Sequence, residues 1–162
     1  MNYKEILTGI GIIIGFVSYF FYFRSIFFGQ TKPHVFSWLI WAVINWTAFF
    51  AQLAKGGGTG AWITGANAAL CVAVTVVALF RGEKNITKSD WLSLTGALAA
   101  IIGWILTNNP LTAIILVCLT DCFAIFPTFR KAYHKPYEEN PFAFGIDLVK
   151  FILELIALKS FN

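Results

Sequence analysis

Charge is scarce in this chain. Only 12% of its 162 residues are Asp, Glu, Lys or Arg, about half the share of an ordinary soluble domain. The net charge of +4 is small and scattered, which argues against a nucleic-acid surface. Histidine is rarer still: His34 and His134 stand alone between apolar segments. No nucleophile, phosphate-loop or metal-ligand spacing accompanies them. The expectation is therefore no enzyme, no metal and no cofactor. The three cysteines, Cys71, Cys118 and Cys122, lie inside apolar runs without a C-x-x-C pair. They read as small, buried, reduced residues. Cys118 and Cys122 share a helix face at i, i+4, a poor geometry for a disulfide. What the chain has in quantity is apolar surface: 58% of residues are hydrophobic and the mean hydropathy is +0.72. That balance describes a polytopic membrane protein built as one domain.

A bilayer span needs about 17–25 apolar residues. Six segments approach this, at 6–28, 36–53, 61–80, 91–106, 111–129 and 142–161. "KGGGTG" separates the second from the third, "TNNP" ends the fourth, and Pro110 opens the fifth. Because lipid admits only helices or closed barrels, the fold class is an all-α helical bundle with six transmembrane helices. Orientation follows from the basic loop residues. One side carries Arg24, Lys32, Arg81, Lys84, Lys88, Arg130, Lys131 and Lys135; the other carries Lys4, Lys55 and Lys159. The first side is expected in the cytoplasm, leaving both termini outside a bacterial-type plasma membrane. The first apolar run lacks a cleavage site before Arg24 and reads as a retained span.

Polar residues inside the spans are not random. In "SWLIWAVINWTAFFAQL", Trp38, Trp41, Asn45 and Gln52 fall on one narrow face. That face is either an interfacial tryptophan belt with Asn45 as interhelical glue, or the wall of a solute site. The third span carries Thr64, Asn67, Cys71 and Thr75 on one face, and the first carries Thr8, Gly11, Gly15, Ser18 and Tyr22. Gly11-x-x-x-Gly15 reads as a close helix–helix contact.

The last span, "FGIDLVKFILELIALKSF", carries Asp147, Lys150 and Glu154. Their spacing confines them to an arc of roughly 60°. Each charge at a span centre costs about 2.5–3.5 kcal/mol, against about 0.3–0.6 returned per large aliphatic residue or Phe. The segment is tolerable only if the three pair and face inward. One lysine cannot neutralise both carboxylates, and Asp121 in the fifth span adds another acid. At least one carboxyl is then expected to be protonated or to hold a cation, since burial disfavours charge. Intramembrane ionisable groups are functional by default. The competing reading is a structural ion network that locks the last two helices.

The stretch "YFFYFRSIFFGQTKPHVFSWLIW" and the third-span "WITGANAAL" resemble a SemiSWEET or PQ-loop repeat, with Phe21-Tyr22 standing where that family has Pro-Gln. "FAIFPTFRKAYHKP" is similar to a second copy, with Pro127-Thr128 at the Pro-Gln position. The resemblance implies a 3+1+2 arrangement: residues 1–81 as a first three-helix bundle, 82–107 as a linker helix, and 108–162 as an incomplete second repeat. It also implies a small secondary transporter for a sugar, amino acid or vitamin. Trp38, Trp41, Asn45 and Asn67 would contact solute. Asp147 would bind the coupling proton, as in cystinosin-type members, with Asp121, Lys150 and Glu154 tuning it. A PnuC-like facilitator of a vitamin or nucleoside is the alternative within transport. A non-transporting accessory or scaffold subunit is the alternative outside it. Six helices fall one short of the seven-helix plan, so a homo-oligomer is expected.

Overall fold

A computed structural model describes residues 3–54, 61–107 and 110–157. The described chain is all helical: α1 (Tyr3–Phe27), α2 (Val35–Ala54), α3 (Ala61–Arg81), α4 (Lys88–Leu106), α5 (Pro110–His134) and α6 (Pro141–Ala157), with a short 3-10 turn at Pro136–Glu138. Four of them, α1 to α4, are long and apolar enough to cross a membrane. Their outward faces carry Ile13, Phe20, Phe80, Leu92 and Leu106, all largely exposed. A water-soluble domain would bury such a surface; here it suits lipid.

Local sequence explains where the helices stop. At the end of α1 the chain reverses through Gly29, whose φ is +73°. Gly29 N–H donates to the Ile26 carbonyl and Gln30 N–H to that of Ser25, the paired bonds of a Schellman cap. A Cβ at Gly29 would meet nothing, so the left-handed φ is the reason for glycine there. At the start of α4, Thr87 N–H donates to Asp90 Oδ2 at 2.7 Å, satisfying a donor that the helix leaves free.

Two helix ends differ from expectation. The fifth helix does not end near 129. It runs through Pro127 to His134, so Arg130, Lys131 and His134 belong to the helix and not to a loop. The fourth helix begins at Lys88, three residues before the apolar run.

α2 lies at the centre, against α3 on one flank and α5 and α4 on the other. α1 packs mainly on α6 and touches α3. One core cluster joins Tyr19, Tyr22, Ile26, Trp38, Ala42, Cys71, Val74 and Ala143. A smaller one joins Ile40, Ala97 and Ala124. Small residues permit this closeness: the Phe49 ring lies on Gly65 and the Phe123 ring on Gly96, where a Cβ would come within 2.9 Å. Cys118 and Cys122 correct the expectation of buried cysteines. Both are exposed on α5 and only Cys71 is buried, because α5 turns that face away from α2 and α4.

Candidate functional site

The expected polar faces of α2 and α3 meet each other. Asn67 Nδ2 donates to Asn45 Oδ1 at 3.1 Å, and Thr64 Oγ1 donates to Gln52 Oε1 at 3.0 Å. Asn45 Nδ2 is turned back onto its own helix, donating to the Trp41 carbonyl at 2.7 Å. The helical period alone brings these groups to one seam.

α6 joins this seam through Lys150, which is buried. Its ammonium donates to Asn67 Oδ1 at 3.2 Å and stands 3.1 Å from Asp147 Oδ1. The second distance is an ion pair without hydrogen-bond alignment, for Asp147 Oδ1 has no hydrogen-bond partner. Gly15 of α1 makes room for the lysine stem: a Cβ there would lie 3.1 Å from Lys150 Cδ. Gly11 faces open space. The Gly11-x-x-x-Gly15 pattern therefore admits a side chain and not a neighbouring backbone. The side chain of Glu154 lies outside the described residues.

Tyr19 is the pivot that the sequence reading missed. Its hydroxyl donates to Asn67 Oδ1 at 3.1 Å and lies 3.2 Å from Cys71 Sγ. One tyrosine among so many aromatics in α1 carries no signal of its own. Two small cavities flank it. The first, about 10 Å³, is lined by Tyr19, Tyr22, Trp38, Ser18, Phe144 and Asp147. The second, about 20 Å³, has Gly11, Gly15, Tyr19, Asn67 and Lys150 in its wall. Each has room for about one water.

The first cavity has an uneven chemistry. Ser18 Oγ donates to the Ala143 carbonyl at 2.8 Å. Trp38 Nε1 donates to Tyr22 Oη at 3.2 Å, and Tyr22 Oη donates to Glu139 Oε2 at 3.4 Å. With Tyr19 committed to Asn67, the polar donors in the wall are engaged, while Asp147 Oδ1 and ring faces remain. Such a wall suits a guest that brings donors. The chain matches no family model, curated protein or solved structure.

Trp41 borders this group, its ring 5.2 Å from that of Trp38, and Asp121 lies beyond it. Trp41 packs between the two core clusters, and its indole faces Asp121, which is exposed on α5. α5 lies against α2 and α4, whereas Asp147 and Lys150 face α1 and α3. Of the eight expected site residues, Trp38, Asn45, Asn67, Asp147 and Lys150 are thus brought together around Tyr19.

A second polar assembly closes one end of the bundle. The three connections at this end touch: Lys32 N–H donates to the Glu138 carbonyl and Glu83 N–H to that of Pro33. Gly82 has no space for a side chain against the Pro33 carbonyl. Lys131, 2% exposed, donates to the Lys32 carbonyl at 2.7 Å, the Glu138 carbonyl at 2.8 Å and Glu139 Oε1 at 2.5 Å. Burial pushes the Glu139 carboxyl up from its ordinary value, and Lys131 offsets only part of this. Glu83 is also raised by burial, yet hydrogen bonds from Lys135 and the Asn85 N–H outweigh it and hold Glu83 low. Arg130 grips Asp90 in a bidentate fork, Nε at 3.0 Å and Nη2 at 2.9 Å. His34 is fully buried with its Nε2 3.3 Å from Asp90 Oδ2. Neither imidazole nitrogen has a hydrogen bond, and burial holds His34 below its ordinary value despite Asp90. The sequence reading treated Lys131 as a loop cation and His34 as a solitary loop residue. T-x-x-D at Thr87–Asp90 is the one local signal that points into this network.

Proposed function

We propose that the chain is a small secondary transporter of a small polar solute, with six membrane-spanning helices arranged as a SWEET-like or PQ-loop-like 3+1+2 bundle. The observation that carries this reading is the polar seam Asn45–Asn67–Lys150–Asp147, partly buried and with Lys150 fully so, which crosses from α2 through α3 to α6 beside two cavities. Buried ionisable groups at that depth are costly, and a structural clamp alone would be served as well by apolar packing. Helix pairing adds support. α1 packs on α6, and α5 packs on α2. Exchange of two repeats beginning at α1 and α5 would interchange those contacts.

In this reading Trp38, Asn45 and Asn67 contact solute from the α2–α3 side, with Trp41 behind them. Asp147 takes up the coupling proton, while Lys150 and Glu154 set its balance and Asp121 acts from α5. The loop end with the greater share of Lys and Arg is cytoplasmic, and both termini are outside. The incomplete second repeat is completed by another copy of the chain. Cavities that hold one water each belong to a closed state, so solute entry requires the helices to part.

The test is uptake and counterflow in proteoliposomes, across sugars, amino acids and vitamins, with and without a pH gradient. One solute class should accumulate with the gradient. Asp147→Asn, which mimics the protonated acid, should retain solute counterflow but lose gradient-driven accumulation. Absence of flux for every class would sink the transporter reading. It would favour a non-transporting accessory subunit, the role that the small size of both cavities supports. Flux without any pH response would favour a PnuC-like facilitator.

A further inference from the structure

The charges at the loop-rich end are sorted. The four carboxylates there are all paired: Glu83 holds Lys135, Asp90 holds Arg130, Glu138 holds Lys32 with Lys135 also 3.8 Å away, and Glu139 holds Lys131. Four cations at the same end have no carboxylate within ion-pair distance among the described residues: Arg24, Arg81, Lys84 and Lys88. The neutralised set lies on α4, α5 and the three connections. Of the unneutralised set, Arg24 and Arg81 lie at the ends of α1 and α3.

Three of these cations are held in place. Arg81 donates from Nη1 to the Phe27 carbonyl at 3.2 Å, and its guanidinium stands 5.2 Å over the Phe27 ring. Arg24 stands 5.0 Å over the Phe28 ring. Lys84 folds back to the Leu79 carbonyl at 2.8 Å. Both arginines are exposed, and so are Phe27, Phe28 and Phe80 beside them. Ring stacking and one backbone bond fix the forks while leaving most of their donors free. The rings beneath sit at the ends of lipid-crossing helices, the level of headgroups. A soluble anion needs charge but not this apolar rim. A phospholipid supplies a phosphate for the forks and acyl chains for the phenylalanines.

From this we infer a binding site for the headgroup of an anionic phospholipid at the ends of α1 and α3, formed by Arg24 and Arg81 with Lys84 beside them. The site rests on the membrane reading of α1 and α3 and is independent of transport. The test uses the full chain in nanodiscs of phosphatidylcholine alone or mixed equally with phosphatidylglycerol. Native mass spectrometry counts retained phosphatidylglycerol, and thermal unfolding measures its stabilisation. The wild type should retain phosphatidylglycerol and melt higher in the mixed discs. Each juxtamembrane cation contributes on the order of 1 kcal/mol, so Arg24→Gln/Arg81→Gln should weaken retention by about thirty-fold. Lys88→Gln removes an unneutralised charge that no ring holds, and it should change retention little. No preference in the wild type would overturn the site. So would equal loss on Lys88→Gln, which would mean diffuse attraction. Equal stabilisation by inorganic phosphate in phosphatidylcholine discs would also overturn it, by showing a soluble-anion site. If the double variant fails to fold, Arg24→Lys and Arg81→Lys keep the charge but lose the fork, and should each still lower retention.

Discussion

Lys131 is a fully engaged buried cation at the loop end, and its replacement by methionine is the most informative perturbation. The ammonium makes three hydrogen bonds, to the carbonyls of Lys32 and Glu138 and to Glu139. The Lys131 side chain is 1% exposed and that of Glu139 8%, so solvent screening is slight. Methionine fills the stem volume but strands a buried carboxylate, which costs about 3–5 kcal/mol. Adding Glu139→Gln removes the stranded charge and leaves chiefly two carbonyls short of a partner, a cost of about 1–3 kcal/mol. The double variant should therefore be more stable than the single by roughly 2 kcal/mol, a coupling far above additivity. The pH dependence has a definite sign. Folded Glu139 lies above its ordinary 4.5, so its contribution is fully present below that value and is lost as pH rises through the folded value. Without Lys131 the rise is larger and the loss steeper. Thermal unfolding in detergent, followed by circular dichroism between about pH 5 and pH 8, reads both effects. The deficit of Lys131→Met should grow with pH, and the double variant should flatten it. A single variant as stable as wild type, or a double variant worse than the single, would refute the buried-pair reasoning.

Other expectations follow from particular contacts. Gly15→Ala should be tolerated, because the Lys150 stem at 3.1 Å is flexible, whereas Gly15→Leu should displace Lys150 and cost about 1–3 kcal/mol in thermal unfolding. His34 lies below its ordinary 6.5, so the folded state loses stability as pH falls through the window beneath 6.5; His34→Gln should remove that slope in the same assay. Cys118 and Cys122 should react in membranes with a lipid-soluble maleimide, while buried Cys71 reacts only after unfolding; mass spectrometry of the labelled peptides decides it.

The sequence disclosed what is local or periodic. Asp147 and Lys150 pair because i, i+3 on a helix is a contact by construction. Asn45 and Asn67 meet because a 100° period set each on the polar face of its helix. The loop-end network was hidden for the opposite reason. Lys131 is buried only because α5 continues past Phe129 and the 136–139 turn then folds back over it. His34 is buried only because α4 and α5 present Asp90 and Arg130 to it from residues far along the chain. Composition likewise misjudged Cys118 and Cys122, since an apolar run in a membrane helix has a lipid face as well as a packed one.

The pairing of α1 with α6, far apart along the chain, has a consequence for biogenesis. α6 leaves the ribosome after α1 and α3, yet it supplies the Ala143 carbonyl for Ser18 and the Lys150 ammonium for Asn67. Until it arrives, α1 and α3 must wait in the bilayer with those polar groups turned toward lipid or toward each other. Asp147 travels with its own counter-charge three residues away, so α6 can enter the membrane with that pair already partly neutralised and complete the seam on docking. A chain truncated before Pro141 would leave the α1–α3 seam permanently open, and would present to membrane quality control a surface that the finished protein never shows.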